Sequence, residues 1–249
     1  NAETIRQKGS PENLALALLI AFIFPVIREF LCSSALLCVS HNVHHQLVSL
    51  NNDKQYRNVA NIVAEVASLT NECLLSSYLA THGDGKEEKL SGIANILNVI
   101  DGNLFDCVRE AKMEEDFYNY SLEGNTITKD YMNELTINSL EKYLGDVVNF
   151  DDYSVNSWIR RSHYLMNYYL YSYSICISVA SYVASELLSG NKEMLEKYMK
   201  FLSTGGDKWP MEAFAILGVD LTKKDVYQKA IDYFDNLITE FRKVYEGDE

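Results

Sequence analysis

Three prolines and twelve glycines in 249 residues leave long stretches of chain with nothing to break a helix. The apolar–polar alternation that a half-buried strand needs is not sustained anywhere. Apolar residues instead return every three or four positions. Ile62, Val63, Val66, Leu69, Cys73 and Leu74 show this spacing best and predict an amphipathic helix over 59–80. Similar patterns predict helices over about 87–119, 129–144, 156–189, 191–202, 210–217 and 223–245. The breaks fall at His82-Gly83-Asp84-Gly85, Gly124-Asn125, 145–152, Gly190 and Thr204-Gly205-Gly206-Asp207. An earlier stretch, 11–50, is apolar and helical in tone, and Gly9-Ser10-Pro11-Glu12 marks its start. The fold class is therefore all-α.

Charge narrows the partners. Against 35 Asp+Glu stand 22 Lys+Arg, a formal net charge of −13, and such a surface repels the phosphate backbone of a nucleic acid. Hydrophobic residues make up 47%, enough for a sizeable core. Cys32, Cys38, Cys73, Cys107 and Cys176 are odd in number and widely spaced, which predicts reduced thiols in a cytoplasmic protein rather than a disulfide framework. The apolar run 14–27 ends at Arg28-Glu29 and is shorter than the roughly 18 residues a span requires, so a membrane partner is disfavoured. A buried helix is the reading preferred over a targeting segment beginning near Arg6 and Lys8.

Two groups of residues carry chemistry. His41, His44 and His45 lie within five positions, and His41 and His45 share a helical face at the i, i+4 spacing that can hold a metal between two imidazoles. Glu65 and Glu72, two turns apart on the next predicted helix, face one way and could supply a further ligand. Surface carboxylates and a polar helix end would look the same. The second group is aromatic: Trp158, His163, Tyr164, Tyr168, Tyr169, Tyr171 and Tyr173, with Arg160 and Arg161 beside them. Phenol and imidazole donors fixed in a cleft stabilise a developing oxyanion, although tyrosines at helical spacing also pack as ordinary core.

Four segments in order resemble one family. Glu65-Val66-Ala67-Ser68-Leu69-Thr70-Asn71-Glu72 is similar to the helix after the zinc motif in the oligoendopeptidase F branch of the thimet-oligopeptidase-like zinc peptidases. WIRRSHYLMNYYLYSY (158–173), FLSTGGDKWP (201–210) and LGVDL (217–221) resemble that family's His/Tyr-rich helix and C-terminal stretch. The resemblance covers residues 41–249 and implies the helical C-terminal, catalytic half of that fold, while 1–40 form a divergent apolar segment that resembles none of it. It also implies short peptides as ligands, zinc as cofactor and hydrolysis by a metal-bound water. Glu65 would be the third zinc ligand and Glu72 its support, with His163 and Tyr169 or Tyr173 facing the tetrahedral intermediate.

The departure lies in the H-E-x-x-H motif. Without gaps, His41 stands at the second zinc histidine and His44 at one that commonly follows, whereas Leu37 stands at the first histidine and Cys38 at the catalytic glutamate. If the motif is instead His41-Asn42-Val43-His44-His45, both histidines survive and Asn42 replaces the base. Either frame loses the glutamate, and the gapless one is preferred because Val43, His44 and Ser49 then match. The stretch 106–114, around Cys107, also departs from the family pattern. Two functional expectations follow. One is a zinc oligopeptidase whose metal is held by Cys38, His41, His45 and Glu65; the other is a non-catalytic relative that binds peptides or a partner. The preferred reading is an oligoendopeptidase F-like metallopeptidase domain with impaired catalysis, with the non-catalytic relative as the alternative. A truncated catalytic half would expose apolar surface, which predicts a homo- or hetero-oligomer formed through 14–39.

Overall fold

The computed structural model describes residue 42, residues 44–145 and residues 149–247. Among them every regular element is helical. A helix through 44–51 (α1) is followed by α2 (Asn61–His82), α3 (Lys86–Ile100), a six-residue π-helix (Asp101–Asp106), α4 (Cys107–Leu122) and α5 (Lys129–Leu144). After three short turns come α6 (Leu170–Leu188), α7 (Lys192–Leu202), α8 (Pro210–Ile216) and α9 (Asp225–Glu246). The predicted apolar segment 1–40, with the proposed oligomer surface 14–39, lies outside the described residues. No described helix is long and apolar enough to cross a membrane.

The chain divides into two compact units, one ending at Leu97 and resuming at Cys176, the other Asn98–Ile175. In the first, α2 is central. It buries Val63, Val66, Ala67, Leu69 and Cys73, and with them Ser68, Thr70, Asn71, Glu72, Ser76 and Ser77. Polar groups at such depth need partners. Thr70 Oγ1 bonds the Val66 carbonyl at 2.7 Å, Asn95 Nδ2 donates to Ser76 Oγ at 2.6 Å, and the Tyr198 hydroxyl donates to the Ala67 carbonyl at 3.3 Å. Phe201 and Phe214 stack at 6.1 Å with no exposure, where complete burial contributes about 1.5–3 kcal/mol each. Gly92 lets α3 approach α2 closely, because a Cβ there would meet the Ala80 nitrogen at 2.4 Å.

The pair Gly205-Gly206 seats the loop after α1. Gly206 N–H donates to the Tyr56 carbonyl at 2.8 Å, and Asn52 Nδ2 reaches both the Val48 and the Ser203 carbonyls at 2.9 Å. A Cβ on Gly206 would lie 1.9 Å from the Asn58 carbonyl oxygen. The two glycines are therefore a packing device that lets two backbones touch.

The second unit is built on α4, which packs against the π-helix and α5. Met113, Phe117, Met132 and Leu140 form its core. Trp158 Nε1 donates to Asn133 Oδ1 at 2.8 Å, tying the turn that follows to α5.

Here the expected continuous helix over 156–189 is corrected. The chain makes two 3₁₀ turns, Ser157–Arg160 and Ser162–Leu165, then reverses through Asn167 and Tyr168 before α6 begins at Leu170. Asn167 and Tyr168 have φ of 44° and 57°, the non-glycine positive values among the described residues. Helical spacing on both sides of the turn made the break invisible in the pattern.

Candidate functional site

Of the residues proposed as metal ligands, Cys38 and His41 lie outside the described residues. His45 is half-buried on α1, and its neighbour His44 is fully buried with the two rings 5.8 Å apart. Glu65 is half-buried on α2, where Ser68 Oγ donates to its Oε2 at 3.1 Å. Seven residues on, Glu72 is buried, and desolvation pushes its carboxyl up to about 7. On α6, the Cys176 thiol donates to the Ile62 carbonyl at 3.2 Å, and burial together with the charge of Glu65 raises its pKa. Cys73 is pushed up to about 12 by burial and by Glu72. Cys73, Cys107 and Cys176 are thus free, buried and unreactive thiols.

Among the described residues, no three His, Cys, Asp or Glu side chains converge as a metal would require. Glu65 and His45 alone do not make a zinc site. The described part of the chain does not fit that ion.

His163, Tyr169 and Tyr173, read from sequence as the catalytic donors, do come together within the second unit. Nε2 of His163 lies 3.4 Å from the Tyr173 hydroxyl. Their rings meet edge-on at 5.6 Å, those of Tyr169 and Tyr173 edge-on at 5.4 Å, and Tyr169 stacks beside His163 at 5.9 Å. All three are half-buried, so each ring is held and still partly open. Such a triad can direct O–H and N–H donors at one carbonyl oxygen.

The elements that position the triad were not anticipated. Glu110, Glu114 and Tyr118 recur every fourth residue on one face of α4 and meet the segment 161–168 at three points. Arg161 Nε forms an ion pair with Glu110 Oε2. Tyr168 N–H donates to Glu114 Oε1 at 2.7 Å, and the Tyr118 hydroxyl donates to Asn167 Oδ1 at 3.1 Å. Phe117 adds an edge-on ring contact to Tyr164 at 5.4 Å. The only signal in the sequence was carboxylates interleaved with Met113 and Phe117 at helical spacing, a pattern shared with any solvated helix edge. Beside the turn, Ala111, Lys112, Glu115, Asn119, Tyr168 and Tyr171 line an open depression of about 500 Å³.

Comparison with known proteins identifies the family of the chain. Residues 39–233 match peptidase family M3. The chain belongs to peptidase family M3. Oligopeptidase PepF of Bacillus subtilis is 27% identical over 222 residues, and an oligoendopeptidase F homolog of Borreliella burgdorferi is 30% identical over 207. These alignments cover 89% and 83% of this chain and 32% and 35% of the relatives. The crystal structure of oligoendopeptidase-F from Enterococcus faecium superposes with a TM-score of 0.72 at 26% identity, covering 86% of this chain and 40% of that one. This M3 chain thus spans about a third of the length of the curated relatives it matches. The helical architecture of its described residues matches the superposed part of the Enterococcus faecium structure.

Proposed function

We propose that this M3-family chain is an oligoendopeptidase F-like protein that holds short peptides and carries an impaired zinc-peptidase centre. The observation that carries the reading is the motif itself: Leu37 and Cys38 stand where the resemblance implies the first zinc histidine and the catalytic glutamate. Leucine offers a metal no donor atom, and a thiol is a poor replacement for the carboxylate that takes the water's proton. Zinc, when bound in this family, lowers the pKa of its water and polarises the scissile carbonyl.

Peptide holding is supported by the His163, Tyr169 and Tyr173 donors and by the neighbouring rim. Leu165 (87% exposed) and Met166 flank the turn, with Tyr168 and Tyr171 exposed after them. Donors for a peptide carbonyl beside exposed apolar and aromatic groups suit an extended short peptide. The free thiols support a reducing, cytoplasmic setting, and the segment 14–39 is the surface proposed for oligomer formation.

The test is elemental analysis of the dialysed chain and of Glu65→Ala, together with hydrolysis and binding of internally quenched short peptides. The expected result is zinc far below one per chain and no chelator-sensitive hydrolysis. Peptide binding is retained and weakens in His163→Ala and Tyr173→Phe. Near-stoichiometric zinc that disappears in Glu65→Ala, accompanied by cleavage, would establish instead a rebuilt centre at Cys38, His41, His45 and Glu65.

A further inference from the structure

The reversal at Asn167-Tyr168 is the point where the chain turns from the helical turn bearing His163 to the helix bearing Tyr173, with Tyr169 just before it. Two successive non-glycine residues at positive φ are unfavourable and persist only where surroundings over-determine them. The surroundings here are one face of α4.

Glu114 is the central contact of that face and has no exposed surface. Its Oε1 accepts the Tyr168 amide at 2.7 Å, while Oε2 makes no hydrogen bond to the described residues. An incompletely satisfied buried carboxylate is a poor way to stabilise a fold, since an apolar side chain of similar volume would serve packing better. Among the described residues its one hydrogen bond is to a backbone amide inside the reversal. That contact acts whatever side chain stands at 168. Glu110 and Tyr118 grip the same segment one turn to either side, through Arg161 and Asn167.

We infer that Glu114 is a positioning residue: by holding the Tyr168 amide in the left-handed turn, it sets His163 against Tyr169 and Tyr173. The inference rests on the proposed peptide-holding role for what the triad does, and on geometry alone for how the triad is kept together.

The experiment uses the full chain with labelled histidine and uniform ¹⁵N, comparing wild type with Glu114→Gln and Glu114→Ala. His163 ring signals are assigned by their loss in His163→Gln. Glutamine keeps a carbonyl acceptor, so Glu114→Gln should retain the Tyr168 amide shift and the His163 ring signals. Glu114→Ala should lose the amide shift and displace the His163 ring signals as the ring leaves Tyr173. Wild-type values in Glu114→Ala, or equal changes in both variants, would overturn the assignment. If Glu114→Ala does not fold, Glu114→Leu decides, since it fills the same space and removes only the acceptor for the Tyr168 amide. The same two signals then move as expected for Glu114→Ala, or the assignment falls. Peptide binding measured on the same samples keeps the two ideas apart: a His163 response in a chain that binds no peptide preserves the positioning role and sinks the functional one.

Discussion

Glu72 is 2% exposed, and burial lifts its carboxyl from an ordinary 4.5 to about 7. Between those values the folded chain holds a proton that the unfolded chain has released. Stability contributed by this group is therefore complete below about pH 4.5 and lost as pH rises through about 7. The full difference is about 3 kcal/mol. Urea denaturation of metal-free Glu72→Gln should match wild type near pH 5 and exceed it near pH 8. An equal effect at both values would mean that Glu72 is ionised in the folded chain. A second residue-scale prediction concerns Gly206, whose missing Cβ leaves room for the Asn58 carbonyl. Gly206→Ala should lose about 2–3 kcal/mol in the same assay, as overpacking does. Gly102→Ala is the control, because nothing lies within 4 Å of its Cβ position, and it should be neutral or stabilising by up to about 1 kcal/mol.

Helix boundaries were legible where the chain carries its own stop signals. Asn191 caps α7, its Oδ1 accepting the Met194 amide at 3.1 Å while Nδ2 donates to Glu186 Oε2 at 2.6 Å. It thus joins the end of α6 to the start of α7. Asn191→Ala should cost about 1–2 kcal/mol in thermal or chemical denaturation, and Asn191→Asp should recover only part of it, because aspartate keeps the cap but faces Glu186. Thr128, whose side chain accepts the Tyr131 amide at 3.2 Å, marks the start of α5 in the same way. The reversal at 167–168 has no such signal. Neither Asn167 nor Tyr168 is a glycine or proline, and the turn exists because Glu110, Glu114 and Tyr118 hold it from a helix some fifty residues earlier. The proposed site residues His163, Tyr169 and Tyr173 were named from the motif, but the helix packed against their segment was not.

At the scale of the molecule, a net charge of −13 predicts no measurable affinity for DNA or RNA at physiological salt, checked by fluorescence anisotropy down to low ionic strength. Binding that weakens steeply with salt would contradict this. Membership of peptidase family M3 and the helical class were both present in the sequence. Helical class follows from local spacing and the scarcity of breakers, and the family from four motifs in order, each of which needs only neighbouring residues to be recognised. The division into two units was not readable, because the first joins a segment ending at Leu97 to one beginning at Cys176, and nothing local records which distant faces meet. Burial of Ser68, Thr70, Asn71 and Glu72 belongs with it. A polar run of that kind reads as solvated until surrounding helices enclose it, and the strained turn beside the His/Tyr triad reads as helix until α4 is laid against it. Local spacing specifies which helices form; which polar groups are desolvated, and which strained backbone is held, depends on contacts between residues far apart in the chain.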